Sequence, residues 1–294
     1  MPQKLTTQEA VIAELTQQIE HLSPQLQQCA RYIIDHPREV GLESMRSLAA
    51  SAEVNPNSFV RLAKQLGFDG YEQLRERFRD FVRGGSGSFV ERAVWLQQLA
   101  QESGDTAVVG EMADATLDNL EQMYQQQEIE QLERAVEQMI GAERVFVLGI
   151  GLAYPLAYNL WYLARQAFDH FILTPRHGSL PSDDMVRIGR DDCLVAMTFQ
   201  PYRIETVRAL EHATKAGAST IAITDSPGSS VYRIADLGLA APTHTPQFFQ
   251  SNVALTALVE TLSALLVAKG GAAAAESIDA FNTARWEANI YVDY

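Results

Sequence analysis

Five short apolar runs in the second half of the chain constrain its fold more than any other feature. RVFVLGIG (144–151), FILT (171–174), CLVAMTF (193–199), STIAIT (219–224) and LGLA (237–240) are too short for helices and almost free of charge. Such runs read as strands buried on both faces. Segments of helical period stand among and after them: one from 151 to about Phe168, then 204–217, 251–269 and a last one near 274–289. Alternating strand and helix, with near-continuous apolar strands, implies a parallel sheet covered by helices on both sides.

The first part of the chain has a different period. Stretches near 7–20, 23–35, 44–51, 56–66 and 70–82 read as helices, with no β-rich run among them, and further helical patterns follow near 89–102, 105–126 and 128–140. GGSGS (Gly84–Ser88) interrupts the pattern and marks a boundary. The expected organisation is an all-α domain over 1–83, a linker and connecting helix over 84–104, and an α/β domain over 105–294. A chain of 294 residues can bury two cores.

Net charge is −14, which argues against a polyanionic partner until its distribution is considered. Residues 1–83 hold ten Lys/Arg and eleven Asp/Glu; the rest hold thirteen and twenty-six. The acid therefore lies almost wholly in the second part. In the first, Arg61, Lys64, Arg75, Arg77, Arg79 and Arg83 cluster late and suggest a basic side. Cys29 and Cys193 are far apart and read as small core residues of a cytoplasmic protein. The polar start does not resemble a signal peptide. The most apolar long stretch, Val253–Val267, is interrupted by Thr256, Glu260, Thr261 and Ser263, so no membrane span is expected.

One helix in the first part is unlike core filler. In VNPNSFVRLAKQLGFDGY (54–71), Asn55 suits a cap and Pro56 the first helical position, while Asn57 and Ser58 keep the first turn polar. Phe59, Leu62, Ala63 and Leu66 form an apolar face; Arg61 and Lys64 stand off it, and Gly67 ends the helix. Ser44 opens a preceding short helix, joined through Ala52-Glu53-Val54. Two short helices so joined match a helix-turn-helix, whose second helix enters the major groove N-terminus first. Asn55, Asn57, Ser58, Arg61 and Lys64 are then the DNA-contacting candidates, with Arg46 of the preceding helix as a backbone contact. The bland alternative is a small helical bundle with a polar cap.

LAASAEVNPNSFVRLAKQLGFDGYEQL also resembles the helix-turn-helix of RpiR-type bacterial transcription regulators, with Val54, Ser58, Arg61, Lys64, Leu66, Gly67, Phe68, Gly70 and Tyr71 at the pattern's positions. Asn55 replaces the usual cap serine. SPQLQQCARYIIDHPREV (23–40) resembles the family's leading helix and its break before proline. VFVLGIG, CLVAMTF and ETVRALEHATKAGASTIAITDSPGSSVYRIAD resemble, in order, the SIS sugar-isomerase domain that such regulators carry to sense phosphosugars.

The resemblance implies a sugar-phosphate site built from small hydroxyls and glycine backbone after two strands, and here the sequence departs from it. Ala153 replaces the serine of the first loop. In the second, TFQPYR (198–203) puts Thr198 and Gln200 in place of two serines, Pro201 in place of the glycine and Arg203 in place of the threonine. Pro201 has no N–H to donate, so the family's anion nest cannot be copied unchanged. Gly149, Gly151, Thr198, Gln200, Tyr202, Arg203 and Ser226 are the effector-binding candidates, with Arg176 or His177 nearby. The alternative is a loop that has lost its ligand.

Other constellations are set aside. GIGLAY (149–154) has Tyr154 where a dinucleotide fingerprint needs glycine, and FILT runs into Pro175 without an acid. His170, His177 and His244 lack metal-ligand spacing and read as solvated loop residues. Asp183-Asp184 and Asp191-Asp192 read as solvated turns, Glu128–Glu143 as an exposed helix face, and Ser179 and Ser182 as unactivated hydroxyls. Trp286, Tyr291 and Tyr294 read as packing on the core or on a second subunit. No catalytic residue, metal or cofactor is expected. The reading is a transcription regulator that binds a double-stranded DNA operator as a homodimer or dimer of dimers and senses a small anionic metabolite, a sugar phosphate or sugar acid. A phosphosugar isomerase of the same fold is the rival, and a protein-binding module the third possibility.

Overall fold

The structure is a computed structural model describing Leu5, residues 7–81 and residues 89–290. Arg83, the GGSGS boundary, Tyr291 and Tyr294 lie outside the described residues. By packing, the chain divides into two compact units. One holds residues up to Thr116 together with His244–Ser251; the other holds Leu117–Thr243 and Asn252 onward.

In the first unit α1 (Gln8–Gln18), α2 (Pro24–Asp35), α3 (Pro37–Leu42), α4 (Met45–Ser51), α5 (Pro56–Gln65) and α6 (Tyr71–Phe81) come in succession. Their core joins Val11, Leu15, Cys29, Ile33, Leu48, Phe59, Leu62, Leu74 and Phe78, all at most 1% exposed. The expected break before Pro37 is real, but the proline opens a helix of its own, as proline at N1 favours. Gly41 of α3 lies so close to α6 that an added Cβ would stand 3.0 Å from the Phe78 carbonyl oxygen. Helix α7 (Phe89–Ser103) and the first half of α8 (Asp105–Gln126) complete this unit with the His244–Ser251 strap. The Phe249 ring of the strap lies tilted 4.9 Å from that of Phe89, and Thr245 Oγ1 lies 3.8 Å from the Met112 sulfur.

The second unit carries the sheet: β1 (Arg144–Gly149), β2 (Phe171–Thr174), β3 (Asp192–Met197), β4 (Ser219–Thr224) and β5 (Leu237–Ala240). All pairs are parallel, in the order β2-β1-β3-β4-β5. Residues of one parity, Phe146, Leu148, Leu194, Ala196 and Ala222, pack with Leu210, Ala213 and Val231, so α12 (Ile204–Ala216) and α13 (Ser230–Ile234) cover that face. The other parity is equally buried, which explains the lack of polar alternation in the strands. α9 (Ile129–Gly141), α10 (Tyr154–Ala164), α11 (Pro181–Asp184), α14 (Val253–Lys269) and α15 (Gly271–Glu287) complete the unit. The chain leaves β1 for β2 on one side and returns to β3 on the other. The ends of β1 and β3 thus flank the switch point where doubly wound sheets hold ligands.

Several expectations change. The helix expected to reach Phe168 stops at Ala164. Asp184 and Asp192 are not solvated turn residues: Asp184 pairs with Arg176 at 2.9 Å and Asp192 with Arg144 at 2.7 Å, with their side chains 1% and 3% exposed. His170 is not simply solvated either, since its Nε2 lies 3.1 Å from the Met139 carbonyl oxygen and its ring meets Phe168 and Phe171. Of the two places expected for Trp286, the core of its own chain is not the one, since it is 53% exposed. The two cysteines are buried as expected, and burial pushes both thiols up to about 12. Among the described residues no single helix is long and apolar enough to cross a membrane, and no group of metal-ligating side chains is found.

Candidate functional site

The helix pair α4 and α5 is built by its caps. Ser44 Oγ accepts from the Ser47 N–H, and Asn55 Oδ1 from the Asn57 N–H at 2.9 Å. Between the helices Glu53 takes φ +53°, and its N–H and that of Val54 close the end of α4 on Ala50 and Ala49. Gly67, at φ +89°, does the same for α5: its N–H reaches Lys64 O and that of Phe68 reaches Ala63 O.

With Phe59, Leu62 and Ala63 turned inward, Asn57, Arg61 and Lys64 fall on one exposed stripe at intervals of four and three residues. Asn55 and Arg46 are exposed as well. The side chains of Arg46, Arg61 and Lys64 make no hydrogen bond or ion pair among the described residues. Ser58 departs from expectation: at 4% exposure it faces the core and offers no hydroxyl to a ligand. The basic cluster also thins out. Arg75 is buried beside Glu72 at 3.7 Å, and Arg79 pairs with Glu72 and Glu76 at 3.6 Å.

At the ends of β1, β3 and β4 the candidate effector residues part into two groups. Gly149 belongs to packing: a Cβ there would stand 2.3 Å from the Ala153 carbonyl oxygen and 2.8 Å from the Ala157 Cβ. The glycine lets α10 close on the strand, and its α-carbon is not open to a ligand. Gly151, exposed and at φ +64°, instead meets Arg203: a Cβ built on it would be 3.4 Å from Nη2 of that guanidinium. Two loops that sequence spacing could not place together thus converge. Thr198 is buried, and its Oγ1 accepts from the Arg203 N–H, holding Arg203 as the N-cap of α12.

Asp225, which sequence reasoning passed over, organises the second loop. Its carboxylate accepts from the Tyr202 hydroxyl at 2.9 Å, from Thr224 Oγ1 at 3.0 Å and from the Gln200 N–H at 3.4 Å. Burial, with the Asp225 charge and hydrogen bond, drives the Tyr202 phenol well above its usual range. Tyr202 is therefore a neutral donor already engaged within the protein. Ser226 Oγ accepts from the Gly228 N–H. Arg176 is engaged by Asp184, which accepts from its Nε and its N–H and from Ser179 Oγ; His177 remains exposed. Arg203 is exposed and without a side-chain acceptor among the described residues. A separate cavity of about 370 Å³ lies between α11 and α12, lined by Leu180, Met185, Val186, Arg208 and His212 among others.

Together these features define a helix-turn-helix module joined to a doubly wound domain of sugar-isomerase type. The model of the helix-turn-helix domain of the rpiR family matches residues 9–81, and that of the SIS domain matches 138–268. With both in this order, the chain belongs to the RpiR-type regulators. The uncharacterized HTH-type transcriptional regulator YbbH of Bacillus subtilis is 26% identical over 229 residues, 76% of this chain and 77% of its own. The bifunctional protein Glk of Paraburkholderia xenovorans is 25% identical over 221 residues, 74% of this chain; the match spans 33% of that protein's length. The sugar-isomerase domain of an RpiR transcription factor from Sphaerobacter thermophilus covers 60% of this chain at 27% identity, matched over 98% of its own length, with a TM-score of 0.57. NanR of Vibrio vulnificus, solved in complex with ManNAc-6P, covers 96% at 20% identity and a TM-score of 0.57, matched over 100% of its length; this likeness is one of fold.

Proposed function

We propose that the chain is a sequence-specific DNA-binding regulator that acts without catalysis and answers to a small anionic metabolite. The observation that carries the DNA half is the exposed stripe of α5. Asn57, Arg61 and Lys64 lie on one face, and the protein gives their side chains no internal task. Asn55 and the first turn approach the base edges, Arg61 reaches a guanine or phosphate, and Lys64 and Arg46 contact phosphates. A homodimer presents two such helices to a pseudo-palindromic operator.

For the effector half, Arg203 supports the reading. Where the family places neutral hydroxyls and a flexible glycine, this chain has a proline and a guanidinium over Gly151. A guanidinium holds a phosphate or carboxylate through two parallel hydrogen bonds. The N–H groups at the start of α12 add to the same end of the sheet. The fold is shared with NanR, whose complex contains a sugar phosphate. Ligand and DNA are then linked through the relative affinity of two arrangements of the dimer.

The test is binding of the full chain to DNA upstream of its own gene, at fixed moderate salt and with competitor DNA in excess. Wild type, Arg61→Ala and Arg203→Met are compared with and without sugar phosphates and sugar acids. The expected result is specific binding that is lost in Arg61→Ala, with a ligand response that is lost in Arg203→Met. Absence of specific DNA in a genome-wide selection, together with turnover of a ketose or aldose phosphate, would replace this reading with that of an isomerase.

A further inference from the structure

Arg92 of α7 is a buried cation of the first unit for which no acceptor stands among the described residues. Its side chain is among the largest fully buried in the protein, at 1% exposure, yet neither Nε nor Nη1 has a hydrogen-bond partner. No carboxylate lies within ion-pair distance among the described residues. The Phe89 ring centroid stands 5.5 Å from the guanidinium carbon, and Phe89 in turn lies tilted against Phe249 of the strap.

Arg75 is also buried, with no hydrogen bond from its Nε, but it differs from Arg92 in having a carboxylate beside it. At 6% exposure it has Glu72 3.7 Å away as a counter-charge. Arg92 has an aromatic face instead. The attraction of a ring quadrupole for a cation is weaker than the cost of withdrawing that ion from water. Guanidinium does not escape by deprotonation, because its pKa stays far above neutrality. Among the described residues no acceptor that bears negative charge stands beside Arg92.

We propose that Arg92 is the binding group of a small-anion site, for an inorganic phosphate, a sulfate or the phosphate or carboxylate group of a metabolite. The anion reaches it by displacing the Phe89–Phe249 pair, of which Phe89 is 41% exposed. It is then held in bidentate fashion by Nε and a terminal nitrogen of Arg92. Through the chain the site joins two functional parts. α7 is the first described helix after the reading head, and the strap that bears Phe249 follows β5 of the sheet. The inference does not rest on Arg203 or on DNA binding.

The test uses the full chain in Arg203→Met form, which removes the anion site proposed at the sheet. Thermal unfolding is followed while inorganic phosphate replaces chloride at constant ionic strength. A saturable rise in Tm of about 3 °C or more is expected. Arg203→Met/Arg92→Met loses that rise, and in chloride alone it unfolds no earlier than Arg203→Met, because an unpaired buried charge has become an apolar side chain of similar length. The second result shows that the double variant folds. Hydrogen exchange of α7 amides slows with phosphate in the first protein and not in the second. A phosphate response that survives in the double variant, or none in the parent, overturns the proposal. So does a change in oligomeric state on Arg92→Met without any phosphate effect, which assigns the missing charge to a second copy of the chain.

Discussion

Gly149→Ala separates a glycine kept for packing from one kept for ligand approach. The added methyl would lie 2.3 Å from the Ala153 carbonyl oxygen and 2.8 Å from both its carbon and the Ala157 Cβ. An unstrained C···O contact lies near 3.3 Å or beyond, so the turn between β1 and α10 must retreat by about 1 Å. None of these neighbours is the end of a flexible side chain; one is backbone and the other the stub of a fully buried alanine. A forced overpacking of this kind costs about 3 kcal/mol or more. Gly151→Ala is the control. Its nearest neighbour is the mobile end of Arg203 at 3.4 Å, so its cost is that of a left-handed residue, about 1 kcal/mol after allowance for the stiffer unfolded chain. Trp161 on α10 reports unfolding of this unit by fluorescence in a Trp95→Phe/Trp286→Phe background, and urea midpoints rank the variants. Gly149→Ala within about 0.5 kcal/mol of wild type, or less damaging than Gly151→Ala, would refute the packing role.

Three further outcomes follow from the same geometry. Arg61→Ala lowers the slope of log affinity against log salt by about 0.9 if Arg61 contacts one phosphate; an unchanged slope with relaxed base preference assigns it to a base edge, and no change in either removes it from the interface. Asp184→Asn destabilises the second unit by about 1–3 kcal/mol at neutral pH, because the Arg176 and Ser179 donors lose a charged acceptor. Burial raises the Asp184 pKa, but the hydrogen bonds from Arg176 and Ser179 outweigh it and leave the carboxyl below its usual range. The stabilisation is thus fully present above about pH 4 and fades as pH falls through the depressed value; the gap between wild type and variant in urea midpoints should close there. Glu53→Gly, at φ +53°, raises the stability of the helix-turn-helix by about 0.5–1 kcal/mol in thermal unfolding while leaving DNA affinity unchanged.

The strands were readable because burial on both faces leaves one composition to choose from, and the observed bounds of β2, β4 and β5 coincide with the apolar runs. The caps at Asn55 and Gly67 were readable because capping is local chemistry. What escaped was whatever depends on distant partners. Ser58 looks like a contact residue in a polar first turn, yet it lies one helical step from Phe59 and turns with it into the core. Asp184 resembles a turn residue until the loop from Arg176 to Ser179 folds over it. The same holds for Arg75, whose charge counted toward a basic side in sequence although its side chain is buried in the fold. Asp225 was hidden in the plain string TDSPGS; a carboxylate one residue after a buried strand, level with the loop of the neighbouring strand, is the signal that would have found it.

Charge sets one further condition on the effector reading. Residues 84–294 carry thirteen cations against twenty-six acids, so an approaching dianion meets a repulsive field at long range. At physiological salt that field is screened over about 8 Å, whereas a guanidinium in contact with its ligand is screened much less. The two contributions respond to salt in opposite ways: screening hastens encounter and also hastens release. At the proposed contact of α5 with an operator the near-neutral residues 1–83 add little repulsion to be screened, and each phosphate contact weakens as salt rises. Affinity for an anion at Arg203 should therefore fall more gently with salt than affinity for operator. A steeper fall for the small ligand would mean that its binding depends on a wider basic surface than Arg203 provides.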